Sequence, residues 1–175
     1  MSRIRYHVAA SLDGYIAGPE GEYDWIVKES AMDFSALFGQ FDTFVMGRAT
    51  YEVATQEGAP PFPPGSNVFV FSRTMREGQD PAVTVMSKVS AEAVDRIRAA
   101  ARKDVWLFGG GQLLRSFLEG GFVETVEVAV IPVLLGAGLP LLPPPAPRAS
   151  LRLTKHRVYP SGIVYVEYDV KGLTT

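Results

Sequence analysis

The stretch VWLFGGGQ at residues 105–112 joins an apolar run directly to three successive glycines. Residues 105–108 are all apolar, as in a strand covered on both faces, and positions 113, 114, 117 and 118 then follow helical spacing. Glycines between strand and helix let a phosphate approach the backbone, where the first helical amides favour an anion. A tight turn without a ligand would explain the same glycines, because the full G-x-G-x-x-G fingerprint is absent. The stretch predicts an α/β sheet with one candidate phosphate site.

A second junction of this kind lies at residues 43–52. The apolar run 43–46 ends at Gly47, and Arg48 to Glu52 have helical composition. The Arg48 guanidinium is suited to bidentate phosphate contact, although a lone arginine at a helix start is commonly a solvated surface residue. The two junctions together could hold the two phosphates of a dinucleotide.

The third polar segment, Ser72 and Arg73, follows a predicted strand over residues 67–71. A cation beside an adenosine ribose suits a 2′-phosphate, whereas an acidic residue would favour NAD. The segment therefore indicates NADP, with an ordinary polar turn as the alternative reading.

The rest of the chain predicts helices alternating with strands and then a strand pair. Phe34, Leu37, Phe38 and Phe41 predict a helix over residues 31–41, and Ser90 is a candidate N-cap for another helix. Alternating apolar residues predict strands at 126–130, 151–158 and 164–170, the last two joined by a tight turn. The order predicts an α/β sheet, mainly parallel with an antiparallel C-terminal edge.

Composition restricts the class of protein. The 175 residues, 47% hydrophobic and 21% charged, suit one globular domain, and a net charge of -2 without a basic stretch argues against nucleic acid as a partner. The absence of cysteine excludes disulfides, thiolate catalysis and cysteine-based zinc sites, and the two histidines are too far apart to predict a metal site. No apolar run is long enough for a membrane span, and the N-terminus runs directly into a strand pattern, so we expect a cytoplasmic protein.

Four motifs occur in a characteristic order, and together they resemble the dihydrofolate reductase superfamily. They are SLDG at 11–14, MGRATYE at 46–52, FSR at 71–73 and FGGG at 108–111. The SLDG opening and the segment IPVLLGAG at 131–138 look most like the C-terminal reductase domain of riboflavin-biosynthesis deaminase-reductases. The resemblance implies one dihydrofolate reductase-like domain over residues 1–175, with a three-layer α/β/α fold.

The resemblance also implies an NADPH-dependent reductase that works as a homodimer and transfers a hydride to a pyrimidine- or pterin-like heterocycle. The residues implied to bind NADPH are Gly47, Arg48 and Thr50 at the phosphates, Ser72 and Arg73 at the adenosine end, and Gly109, Gly110, Gly111 and Gln112 at the pyrophosphate.

Four residues are candidates on the substrate side. Asp13 and Asp33 are the candidate catalytic carboxylates, and Tyr15 and Trp25 are candidates for contact with the substrate. Each has a structural alternative: Asp before Gly is a common turn pair, an acid early in a helix is favoured by the helix dipole, and a tryptophan often packs in a core.

Three functions remain open at this point. The first is a reductase like 5-amino-6-(5-phosphoribosylamino)uracil reductase of riboflavin biosynthesis, the second a dihydrofolate or pteridine reductase, and the third a non-catalytic NADP-binding module. Riboflavin reductases usually carry an Asp-x-Pro-x-Leu pattern after the second helix, where this chain has EGAPP at residues 57–61.

Overall fold

The computed structural model describes residues 1–56, 58 and 61–174, so the segment 57–61 lies largely outside the described residues. The described strands are β1 (Ile4–Ser11), β2 (Tyr15–Ala17), β3 (Phe41–Gly47), β4 (Asn67–Phe71), β5 (Thr84–Met86), β6 (Asp104–Gly109), β7 (Thr125–Ile131), β8 (Leu139–Pro140), β9 (Arg148–Val158) and β10 (Val164–Thr174). The described helices are α1 (Phe34–Phe38), α2 (Arg48–Thr55), α3 (Ala91–Ala100) and α4 (Gly111–Glu119).

Eight of these strands form one sheet in the order β5-β4-β3-β6-β1-β7-β10-β9. The pairs from β5 to β7 are parallel, and β10 is antiparallel to both of its neighbours, β7 and β9. The predicted mainly parallel sheet with an antiparallel C-terminal hairpin is therefore confirmed. The short strands β2 and β8 pair separately.

Helices cover both faces of the sheet, as the three-layer prediction requires. On one face α3 and α4 bury Val94, Ile97, Leu114 and Phe117 against apolar residues of β1, β3, β4 and β6. On the other face Tyr51 and the α1 side chains pack on aromatic and aliphatic residues, among them Phe44, Met46, Val70 and Trp106. Each fully buried large side chain stabilises the fold by roughly 1.5–3 kcal/mol. In the described part of the chain, no helix is long and apolar enough to cross a membrane.

The first helix is shorter than its apolar spacing predicts. It ends at Phe38 with Gly39 as its C-cap, and Phe41 is the first residue of β3. Phe41 is almost fully buried because it packs against Trp106, at 4.9 Å between ring centroids. The prediction that the helix extends to Phe41 was therefore wrong, because β3 pairs with β6 and Phe41 belongs to β3.

A buried ionic cluster lies on the α1 face of the sheet, where Glu127 is fully buried. Arg5 on β1 donates from Nε and Nη2 to the two Glu127 oxygens at 2.6 and 2.9 Å. His7 Nδ1 lies 3.1 Å from Glu127 Oε2, and the Tyr165 hydroxyl donates to the same oxygen at 2.9 Å. Burial alone would raise the pKa of Glu127, but hydrogen bonds from His7 and Arg5 and the Arg5 charge lower it to about 2. The cluster therefore holds an ionised carboxylate between β1, β7 and β10.

We predict that Glu127→Gln lowers the free energy of unfolding by about 3 kcal/mol, because it removes the buried charge that pairs with two Arg5 nitrogens and leaves only the longer Arg5–Asp104 ion pair at 3.3 Å. The matched control is Glu119→Gln, which removes an i,i+4 pair with Arg115 at an exposed site. For the control we expect roughly 0.5 kcal/mol or less. Urea unfolding of both variants measures the difference, and equal losses would contradict the prediction.

Candidate cofactor and substrate site

The predicted motifs meet at one edge of the sheet. The parallel neighbours β4, β3, β6 and β1 end at Phe71, Gly47, Gly109 and Ser11, so the segments that follow them lie side by side at the carboxyl edge. Gly47 is paired directly with Phe71, and Met46 with Gly109. Four segments that are distant in sequence thus form one continuous rim.

A crevice opens between the ends of β3 and β6, because the chain leaves these neighbouring strands in opposite directions. From β3 it passes through α2 to β4, and from β6 it passes through α4 to β7 on the far side of β1. The two helices pack on opposite faces of the sheet. This is the topological switch point at which open α/β sheets bind ligands.

The two helices that begin at this crevice lack side-chain caps among the described residues. Their N-caps are Gly47 and Gly110, whereas Asp33 and Ser90 cap α1 and α3 by accepting from Ala36 and Ala93 amides. The first amides of an uncapped helix need another acceptor, and an anion satisfies both the amides and the helix dipole. The rim therefore carries two places suited to phosphate.

Thr50 lies where the two helix starts approach each other. A β-carbon built on Gly110 would lie 3.6 Å from the Thr50 Oγ1, and one on Gly109 3.4 Å from its methyl carbon. Thr50 thus faces the glycine turn across the crevice. Its hydroxyl therefore lies beside the turn that precedes α4 and in the first turn of α2.

The three successive glycines serve different purposes. Gly109 has a φ of 155°, which L side chains rarely adopt, and the peptide bond to Gly110 is cis. Gly110 itself has a φ of -93°, and of the described residues only Thr50 would lie within 4 Å of a β-carbon built on it, so the open space beside it is not needed for folding. A β-carbon on Gly111 would meet the carbonyl oxygens of Pro140 and Leu141 at 2.5 and 2.8 Å. Gly111 is therefore required by packing of the β8 segment.

The polar residues after β3 and β4 are linked to each other. Arg48 donates from Nε to Glu52 at 2.6 Å and from Nη1 to the Thr74 hydroxyl at 2.7 Å. The Ser72 hydroxyl accepts from the backbone amides of Thr74 and Met75 at 3.1 and 2.9 Å. Ser72 and Arg48 therefore order the turn, in addition to their predicted contacts with a cofactor.

Arg73 and Gln112 differ from these residues because their side chains project freely from the rim. Arg73 is exposed, and within residues 1–56, 58 and 61–174 its side chain has no hydrogen bond or ion pair. Gln112 is exposed in the first turn of α4. Arg73 is thus a free cation beside the end of β4.

Asp13 joins the loop after β1 to the loop after β7. Its Oδ1 accepts from the Ser11 hydroxyl at 2.6 Å and the Leu135 amide at 3.1 Å, and its Oδ2 accepts from the Gly136 amide at 2.8 Å. The Ser11 hydroxyl and the Gly136 amide lower the pKa of Asp13 to about 2. Asp13 is therefore ionised at neutral pH, so its carboxylate can accept hydrogen bonds but cannot donate one.

The other three substrate-side candidates are distributed over the neighbouring loops. Asp33 is the exposed N-cap of α1, where its Oδ1 accepts from the Ala36 amide at 2.9 Å. Trp25 packs, partly buried, on the cluster that contains Ile131 and donates from Nε1 to a backbone oxygen. Tyr15 is half-buried in β2, next to the Asp13 loop. Asp13 and Tyr15 lie close together in sequence at the rim. Asp33 and Trp25 instead make structural contacts, Asp33 at a helix N-terminus and Trp25 in a hydrophobic cluster.

One contact at the rim has no signal in the sequence. The Tyr51 hydroxyl on α2 donates to Asp80 Oδ2 at 2.6 Å, across 29 positions of sequence. Burial, with the Asp80 charge, raises the pKa of Tyr51 to about 12, and the Tyr51 hydroxyl holds the pKa of Asp80 below its usual value. Asp80 lies in the loop between β4 and β5, and only the tertiary fold places it against α2.

Two comparisons describe what the chain is similar to. It is 30% identical to the uncharacterised protein YyaP of Bacillus subtilis (strain 168) over 181 residues, covering 97% of this chain and 96% of that one. A solved structure from Shewanella sp. PV-4, assigned to riboflavin biosynthesis, superposes with a TM-score of 0.82 and 28% identity over 98% of this chain and 99% of that one.

A bifunctional protein of Thermotoga maritima, a diaminohydroxyphosphoribosylaminopyrimidine deaminase/5-amino-6-(5-phosphoribosylamino)uracil reductase, shares the fold. The TM-score is 0.71 at 17% identity, over 97% of this chain and 56% of that one. The model that describes the RibD C-terminal domain matches residues 2–165. The chain therefore belongs to the RibD C-terminal domain family.

Proposed function

We propose that this protein is an NADPH-dependent reductase that transfers a hydride to a pyrimidine- or pterin-like ring. One observation carries the proposal: two helices without side-chain caps among the described residues begin at adjacent strand ends, with Thr50 between them. Such a pair of helix starts suits the two phosphates of a dinucleotide. Family membership supports the same chemistry, since the Thermotoga protein with this fold is described as a 5-amino-6-(5-phosphoribosylamino)uracil reductase.

The rim residues fit NADPH in this proposal. The amides that follow Gly110 and Gly47 would receive the phosphates, with the Thr50 hydroxyl as a further donor. The free cation of Arg73 would pair with the 2′-phosphate. When bound, the cofactor supplies the hydride through its nicotinamide ring.

Asp13 suits orientation of the substrate rather than protonation. An ionised carboxylate offers about four acceptor positions, and three of those of Asp13 are used by Ser11, Leu135 and Gly136. The remaining position on Oδ2 would accept from a ring or amino N–H of a pyrimidine or pterin. A carboxylate with a pKa of about 2 is too weak a base to hold a proton at neutral pH, so the proton in the reaction would come from another group or from water.

A non-catalytic NADP-binding module is the second candidate, and a specific observation favours it. Both candidate catalytic carboxylates already have structural partners. Asp13 accepts from two backbone amides of the loop after β7, and Asp33 accepts from the Ala36 amide in α1. In this alternative the starts of α2 and α4 still bind the phosphates of NADP, and the two carboxylates have structural roles only.

NADPH oxidation tests the proposal against the alternative. The purified protein is mixed with NADPH and with each of an aminopyrimidine set that includes 5-amino-6-(5-phosphoribosylamino)uracil, dihydrofolate and an oxidised pteridine, while nicotinamide absorbance is followed. Turnover of an aminopyrimidine supports the riboflavin-type reductase, and turnover of dihydrofolate or the pteridine supports the folate-type alternative. NADPH binding without turnover of any substrate would favour the binding module.

Arg73→Ala should narrow the preference for NADPH over NADH by roughly tenfold or more, because a charge-assisted hydrogen bond contributes about 1.5–3 kcal/mol. Arg76→Ala is the matched control, since Arg76 is an exposed arginine three positions further along the same loop. Dissociation constants for both cofactors by fluorescence measure the effect. Equal affinity for NADPH and NADH in the unaltered protein would contradict the proposed contact between Arg73 and the 2′-phosphate.

Gly110→Val should abolish or strongly weaken NADPH binding while the protein still folds. Its φ of -93° is open to valine, and the Thr50 hydroxyl is the one described atom within 4 Å of the added β-carbon, so the valine side chain fills the place proposed for a phosphate. Gly111→Val provides the contrast, because that side chain collides with the Pro140 carbonyl and should lower the melting temperature. NADPH affinity and thermal unfolding are measured on both variants, and normal NADPH binding by Gly110→Val contradicts the phosphate role.

The homodimer is also a proposal, and β9 is its expected interface. This strand has 11 residues at the end of the sheet and is almost wholly exposed, with Leu151, Leu153 and Val158 on its surface. A long exposed edge strand has unpaired backbone groups that invite pairing with another chain, and a second copy would also cover its three exposed aliphatic side chains. We expect light scattering at micromolar concentration to give twice the mass of one chain, reduced to one chain by Leu153→Lys. A monomeric unaltered protein would contradict this.

A further inference from the structure

We propose that the Tyr51–Asp80 hydrogen bond positions the loop that carries Arg73 and thereby sets the preference for a phosphorylated dinucleotide. The β4–β5 loop, residues 72–83, leaves β4 at the carboxyl edge and returns to β5. The inference rests on the proposed function, because it concerns how the proposed 2′-phosphate contact is made. Tyr51 and Asp80 act here as positioning residues, since neither would touch the cofactor.

The start of the β4–β5 loop is ordered by its own backbone. The Ser72 amide donates to Met86 of β5 at 2.9 Å, and the Ser72 hydroxyl accepts from the amides of Thr74 and Met75. These bonds shape the turn around Arg73. They do not determine how the turn is placed relative to α2, where the phosphates would bind.

Two polar contacts join the loop to α2, and they differ in exposure. The first is the bond from Arg48 to Thr74, made by an arginine whose side chain is 47% exposed. Arg48 is itself a proposed phosphate ligand, so that a bound phosphate would compete with Thr74 for the guanidinium. The second is the Tyr51–Asp80 bond, made by a buried tyrosine, and it does not compete with the ligand.

Asp80 connects Tyr51 to the backbone of the loop, because each of its carboxylate oxygens accepts one hydrogen bond. Its Oδ2 accepts from Tyr51 at 2.6 Å, while its Oδ1 accepts from the Ala82 amide at 2.8 Å within the loop. A short bond from a phenol to a carboxylate is stronger than a neutral hydrogen bond. Met75 and Val83, near the two ends of the loop, pack against the same cluster as Tyr51. Among these contacts, Asp80 joins the loop to α2 through a hydrogen bond that a bound phosphate would leave in place.

The consequence for binding follows from pre-organisation. If only a fraction of molecules hold Arg73 in the productive position, the apparent dissociation constant for NADPH rises by the inverse of that fraction. NADH has no 2′-phosphate and does not need Arg73 in place. Loss of the Tyr51–Asp80 hydrogen bond should therefore weaken the binding of NADPH more than the binding of NADH.

Tyr51→Phe tests this directly, because it removes one hydroxyl and keeps the buried ring. We expect the dissociation constant for NADPH to rise about fivefold, corresponding to a productive fraction of about one fifth, with NADH changed by less than about twofold. Tyr168→Phe in β10, next to the edge strand β9 at the other end of the sheet, is the matched control and should leave both constants unchanged. Hydrogen exchange of the loop amides in the cofactor-free protein should accelerate in Tyr51→Phe alone.

A double-mutant cycle with Arg73→Ala separates positioning from a general structural role. In the Arg73→Ala background, Tyr51→Phe should have no further effect on NADPH, because the group that it positions is gone. The same fivefold loss in both backgrounds, an equal loss for NADH, or faster loop exchange with unchanged NADPH affinity would overturn the inference. If the unaltered protein binds neither dinucleotide, the proposed function fails and the inference fails with it. If it binds both equally, the assignment of Arg73 and the inference fail, while the proposed hydride transfer is unaffected.

Discussion

The parallel direction of the strands β4, β3, β6 and β1 is the constraint on which the rest of this structure depends. Parallel neighbours need a crossover between them, and a right-handed crossover decides on which face of the sheet its helix lies. All these strands therefore end at one edge, and every segment that could bind a ligand there follows a strand end. The candidate site is a consequence of chain direction before any side chain is considered.

The central strands are mostly apolar because helices cover both faces of the sheet. The α1 face contains an exception to this rule. Glu127 occupies a fully buried position on this face, and it is tolerated because Arg5, His7 and Tyr165 all contact its carboxylate. Burial of an ion is unfavourable unless it is paired and hydrogen-bonded. The cluster joins β1, β7 and β10, and so connects the parallel part of the sheet to the antiparallel hairpin.

Several residues at the rim combine an architectural contact with a place in the proposed site. Asp13 holds two loops together and keeps one acceptor position, Arg48 bridges α2 to Thr74, and Ser72 orders the turn next to Arg73. Such contacts set the geometry of a site before a ligand arrives.

The sequence by itself determined the order of elements, the glycine junctions at Gly47 and Gly110, the C-terminal hairpin and the family, because these depend on local periodicity, turn chemistry and motif order. It did not determine the end of α1, since pairing of β3 drew Phe41 into the sheet. Nor did it indicate that Glu127 is buried among charged partners, or that Tyr51 meets Asp80. Only the tertiary structure decided those contacts, because they join residues from different elements, and local pattern carries no information about which side chains long-range pairing will bring within hydrogen-bond distance.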